Sequence, residues 1–106
     1  MAKIIKIDTS NNEKISVFLS LDGKEKEISS ESSFLKSEAC LPLIDRILKE
    51  NNLSVKDLDG ILVNPGPGSF TGLRVGVSIA NSLGRLLGIP VNNKKIGDLA
   101  FPVYNG

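Results

Sequence analysis

Asn64-Pro65-Gly66-Pro67-Gly68-Ser69-Phe70-Thr71-Gly72-Leu73-Arg74-Val75-Gly76 is the stretch on which the reading of this chain turns. The apolar run Ile61-Leu62-Val63 before it has the character of a short strand, and a helix-like run follows it as far as Gly88. The prolines and glycines of 65–68 break both helix and regular strand. The spacing therefore predicts a strand, a glycine turn and a helix in succession. Ser69 or Thr71 is a candidate N-cap, its hydroxyl accepting an orphan N–H of the first turn. Backbone N–H groups at the positive end of a helix form a ready anion site.

Within the helix, Gly72, Gly76, Ala80, Gly84 and Gly88 recur at every fourth position. Residues four apart share one helix face. A glycine inside a helix costs about 1 kcal/mol against alanine, so a ridge of them implies that another backbone comes very close. The same device brings membrane helices together, but Arg74, Asn81 and Arg85 interrupt this segment and no bilayer span is predicted.

Outside this segment the 106 residues suit one domain with a modest core. Hydrophobic residues make up 41% and charged residues 24%, ordinary values for a globular chain, and the net charge of +1 gives no reason to expect a nucleic-acid surface. The N-terminus lacks a signal-peptide apolar region, and the single cysteine, Cys40, excludes an internal disulfide and fits a reducing compartment. A cytoplasmic location is expected. The sequence contains no histidine. That removes Ser-His-Asp and Cys-His catalysis and any histidine-ligated metal, so neither a metal nor a cofactor is expected.

Taken in order, residues 4–8 read as a first strand ending in Asp8-Thr9-Ser10. Ile15, Val17, Leu19 and Leu21 alternate with Ser16, Phe18 and Ser20, the period of a half-buried strand. Asp22-Gly23 is a two-residue hairpin turn, and 24–29 follows as a charged strand near the sheet edge, with 30–33 as loop. Cys40, Leu43, Ile44, Ile47 and Leu48 mark the apolar face of a helix over 37–51, with Pro42 near its first turn. Ser54–Asp57 resembles a capped single turn. A strand over 60–64 and a helix over 71–87 come next, with Gly88 as C-cap and Pro90 preventing continuation. Residues 89–92 form a short fifth strand, and 96–106 hold at most one helical turn.

The predicted order is βββαβα(β), a mixed five-stranded sheet with a right-handed crossover around the last helix. This is the α/β plan of a ribonuclease-H-like lobe, the unit that actin-like ATPases and sugar kinases use in pairs.

The core Gly66-Pro67-Gly68-Ser69-Phe70-Thr71-Gly72-Leu73-Arg74 resembles the signature of the TsaB (YeaZ) family. So do Ile4-Ile5-Lys6-Ile7-Asp8-Thr9-Ser10, Leu41-Pro42-Leu43-Ile44, Leu58-Asp59-Gly60-Ile61 and Leu87-Gly88-Ile89-Pro90. Family members usually carry a histidine where this chain has Lys36, before Ser37-Glu38, and they continue into a second lobe; residues 1–106 are read as the first lobe alone. The resemblance implies a non-catalytic subunit of the machinery that makes N6-threonylcarbamoyladenosine at adenosine 37 of tRNA. It implies pairing with a catalytic TsaD-like subunit through the helices of the first lobe, docking of a TsaE-like ATPase on the pair, a homodimer when alone, and contact with tRNA only through the complex. On this reading Gly72, Leu73, Gly76, Val77, Ala80, Leu83 and Gly84 form the interface. The alternative for the ridge is packing on the chain's own sheet.

Asp8 reads as a turn-capping aspartate, bonding to nearby N–H groups. Actin-like ATPases keep a phosphate- or magnesium-associated carboxylate at such a strand end, so Asp8, Gly68, Ser69, Thr71 and Arg74 are the candidate anion or nucleotide contacts. Ser69 and Thr71 lack a base to activate them and read as caps. Arg74 is a cation in the first turn of a helix, unfavourable with the dipole, and its alternatives are a contact with a carboxylate or phosphate and a plain solvated side chain. Two enzyme readings stand beside the scaffold: a phosphotransferase or ATPase lobe using Asp8 and the glycine turn, and a peptidase of the M22 grouping, which the missing histidine argues against.

Overall fold

A computed structural model of the chain describes residues 2–11, 14–31, 36–67, 70–93 and 100. The expected helical turn within 96–106 lies almost wholly outside them.

The elements follow as β1 (Lys3–Asp8), β2 (Lys14–Leu21), β3 (Lys24–Glu31), α1 (Lys36–Glu50), a 3-10 turn at Val55–Asp57, β4 (Gly60–Val63) and α2 (Phe70–Leu87). The sheet is four-stranded and mixed, in the order β3-β2-β1-β4. β1, β2 and β3 form an antiparallel meander, and β4 runs parallel to β1 with Ile5 beside Ile61 and Ile7 beside Val63. The Asp22-Gly23 turn is as predicted, both residues having positive φ (52° and 81°), as a type I′ hairpin turn requires.

Period-two alternation fixes which side of the sheet is covered. Ile5, Ile7, Ile15, Val17, Leu19, Ile61 and Val63 are buried under the helices. The face carrying Ile4, Lys6, Phe18 and Leu62 keeps partial exposure, and the Lys6 ammonium stands 5.3 Å from the centre of the Phe18 ring. On β3, Ile28 packs against the core from the helix side, and the Lys26 ammonium donates to Asn51 Oδ1 at the end of α1 (2.6 Å). Lys24 and Lys26 therefore share the helix side, and Glu25 and Glu27 the other.

α1 and α2 lie on the same side of the sheet and touch each other. The predicted apolar stripe of α1, Cys40, Leu43, Ile44, Ile47 and Leu48, is wholly buried. Pro42 falls inside this helix rather than in its first turn, where it has no N–H to return to the Glu38 carbonyl. Each helix closes on a residue of positive φ. Asn52 (φ 58°) follows α1, with Leu53 N–H donating to Leu48 O (2.9 Å); Gly88 (φ 67°) follows α2, with Ile89 N–H donating to Gly84 O (3.0 Å). Both are Schellman closures.

Two expectations change. β3 continues to Glu31 instead of turning into loop at Ser30, because β2 offers ladder partners as far back as Lys14. The fifth strand shrinks to a single parallel bridge between Ile61 and Val91. Its next rung is filled by a side chain: Asn92 accepts from Val63 N–H with Oδ1 (2.7 Å) and donates from Nδ2 to Val63 O (3.1 Å). Asn92 and Asn93 both have positive φ (52° and 61°), so the chain turns away where a strand would continue.

Candidate functional site at the carboxyl ends of the parallel strands

Because β1 and β4 are parallel, Asp8 and Asn64 arrive at the same end of the sheet, the end at which open α/β sheets place ligands. The ladder runs one step beyond β4, with Asn64 N–H donating to Ile7 O (2.9 Å). Asp8 Oδ1 accepts from the Ser10 backbone N–H (3.0 Å), the Ser10 hydroxyl (2.6 Å) and Asn64 Nδ2 (3.3 Å). Asn64 Nδ2 also donates to Ser10 Oγ (3.2 Å), and Asn64 Oδ1 accepts from Gly66 N–H (3.0 Å). One asparagine thus joins the end of β1 to the glycine turn. Gly66 has φ 115°, open to glycine at little cost, and the Gly66–Pro67 peptide is cis.

The electrostatics of Asp8 follow from these bonds. Partial burial raises its carboxyl, but the donations from Ser10 and Asn64 and the nearby Lys6 charge together outweigh burial and hold it below 3.8. An open cleft of about 530 Å³ lies alongside, lined by Lys6, Asp8, Leu62, Val63, Asn64, Pro65, Asn92 and Asn93. Asp8 spends one oxygen on its own turn, the local bonding expected of a capping aspartate.

The turn is fastened from below as well. Thr9 is fully buried, and its hydroxyl donates to the Gly72 carbonyl in the first turn of α2 (2.5 Å). A Cβ on Gly76 would lie far inside contact distance of Thr9 Oγ1 and 3.2 Å from its methyl; one on Gly84 would collide with the Val91 side chain and sit 3.2 Å from the Ile89 carbonyl oxygen. Gly76 and Gly84 are therefore small because the end of β1 and the segment after α2 press against the helix.

This corrects the expectation for the ridge. Gly72, Leu73, Gly76, Val77, Ala80 and Gly84 are buried within the chain's own fold, and Leu83 is partly buried against the core. None forms an exposed seam. The physical reason is that the close backbone approach implied by the glycines takes place between α2 and its own sheet. Among the described residues the large apolar side chains left exposed are Leu86 on the far side of α2, 81% exposed, Leu41 on α1, 49% exposed, and Val55 in the 3-10 turn, 37% exposed.

Of the remaining predicted contacts, Arg74 does not line the cleft beside Asp8. α2 is already helical at Phe70, so Thr71 lies within its first turn rather than before it, and its side chain lies outside the described part. Gly68 and Ser69, the other contacts in the anion reading, lie outside the described residues. Arg74 is exposed on α2, and Cys40 is buried with its thiol pushed up to about 11 by desolvation. Sequence reasoning missed Asn64 as the hub, Asn92 as the stand-in for a strand rung, and Asn81, whose amide both accepts from Ala100 N–H and donates to Ala100 O (2.9 Å each). Among the described residues no group of histidine, cysteine, aspartate and glutamate side chains is placed to hold a metal ion, and no helix is long and apolar enough to cross a membrane.

Comparison with known proteins gives this arrangement a family. The protein-family profile described as "TsaD: tRNA N6-adenosine threonylcarbamoyltransferase" matches residues 30–93. The tRNA threonylcarbamoyladenosine biosynthesis protein TsaB of Haemophilus influenzae is 36% identical over 88 residues, covering 83% of this chain and 37% of its own length. TsaB of Bacillus subtilis is 34% identical over 92 residues, covering 84% of this chain and 39% of its own length. Among solved structures, YeaZ from Pseudomonas aeruginosa superposes with a TM-score of 0.81 at 28% identity, over 90% of this chain and 44% of that one. The chain thus spans about two fifths of the length of the curated relatives it matches.

Proposed function

The chain belongs to the TsaD family and within it is TsaB/YeaZ-like, and from that premise we propose that it is a non-catalytic scaffold subunit in the N6-threonylcarbamoyladenosine modification of tRNA at adenosine 37. Its sheet and two helices form one ribonuclease-H-like lobe of the actin-like kind. The lobe pairs with a TsaD-like catalytic subunit, receives a TsaE-like ATPase on the assembled pair, and forms a homodimer when alone. It meets tRNA only through the complex.

The observation that carries this reading is Leu86, 81% exposed on the side of α2 turned away from the sheet, with Leu41 half-exposed on neighbouring α1. Two apolar side chains kept in water on adjacent helices suit a helix-to-helix contact. The small ridge supports that contact indirectly, by seating α2 close on its sheet. The absence of histidine from these 106 residues supports a role without histidine-ligated metal or histidine acid–base chemistry.

Co-purification of this chain with its cognate TsaD-like subunit tests the proposal. A stable one-to-one complex, weakened by Leu86→Asp, is the expected result. Absence of any complex at high micromolar concentration of both partners would overturn it.

A second reading, a phosphate- or nucleotide-binding lobe, draws on Asp8 and Lys6 lining the cleft at the strand ends. The bonds from Ser10 and Asn64 to Asp8 favour the capping role over it. Magnesium-dependent ATP turnover abolished by Asp8→Asn would reverse that preference.

A further inference from the structure

We draw no further inference here: the strongest candidate, the open cleft at the carboxyl ends of β1 and β4 lined by Lys6, Asp8, Asn64, Asn92 and Asn93, belongs to the site already described.

Discussion

The side chain of Thr9 occupies the volume that a Cβ on Gly76 would need, while its hydroxyl donates to the carbonyl of Gly72 one turn earlier. A strand end and a helix thereby meet at a distance only glycine permits. The same threonine both requires the small residue and ties down the carbonyl beside it.

Gly76→Ala is accordingly expected to destabilise the fold, although alanine is the better helix former. Overpacking costs typically 1–3 kcal/mol and outweighs a propensity gain of about 1 kcal/mol. Thr9→Ala removes the colliding hydroxyl and methyl but also a buried hydrogen bond, for a loss of about 1 kcal/mol. The double variant should be more stable than the two single losses added together, because Cβ against Cβ stands at 3.3 Å. Denaturant unfolding of all four proteins measures the coupling, and strict additivity would show that the two sites do not share one space.

Leu86→Asp should leave the unfolding midpoint nearly unchanged, within about 0.5 kcal/mol, because the side chain is 81% exposed. On the proposed interface it removes a leucine from burial worth about 1.5–3 kcal/mol, roughly one to two decades in dissociation constant. Ala80→Leu should do the opposite, lowering stability because Ala80 is fully buried in the chain's own core. Titration calorimetry with a TsaD-like subunit, set beside thermal melts, separates the two. A Leu86→Asp protein of unchanged affinity would move the interface elsewhere.

Asn92→Ala should cost about 1–3 kcal/mol, since Val63 is buried and loses a partner for both its N–H and its carbonyl. Asn92→Gly relieves the strain of a side chain at φ 52° but leaves the same groups unpaired. Hydrogen exchange at the Val63 amide should accelerate in both variants. A glycine variant as stable as the parent would show that the bonds to Val63 are worth no more than the strain relieved, and unchanged exchange at the Val63 amide would show that they contribute nothing.

Two titrations bound the pH range. Asp8 is held below 3.8 in the folded chain, so the stability it contributes is present above that value and is lost as pH falls through the folded one. Asp8→Asn should flatten the acid limb of stability against pH. Cys40 works at the other end. Its thiol ionises near 9.0 when unfolded and about 11 when folded, so stability falls as pH rises through that interval, and Cys40→Ala should remove the fall. At neutral pH a thiol reagent should label Cys40 only on unfolding.

Much of this fold was legible from the sequence because its signals are local. The alternation in Lys14–Leu21, the Asp22-Gly23 turn and the 3.6-residue stripe from Cys40 to Leu48 each name an element without reference to a distant one. The four-residue recurrence of small residues also named a true face of α2. It could not say which neighbour that face meets, since spacing along a helix carries no information about Thr9, which lies 63 positions before the Gly72 it binds. The amides of Asn64, Asn81 and Asn92 were illegible for the same reason. An asparagine that replaces a ladder rung or clasps a remote backbone has no periodicity. The fifth strand was over-read because Ile89-Pro90-Val91 has strand composition, whereas the positive φ of Asn92 and Asn93 ends pairing after one bridge.

The outer edge of β3 has a consequence for solubility. Directly opposed residues in an antiparallel pair point to the same side of a sheet. A second copy added across this edge by two-fold symmetry would therefore oppose helix-side residues to helix-side residues. Every register centred on Lys24, Glu25, Lys26 or Glu27 then sets lysine against lysine or glutamate against glutamate. The strand is long, unbroken and outermost, the shape that invites fibre growth. Its charges instead make it a poor template for its own kind.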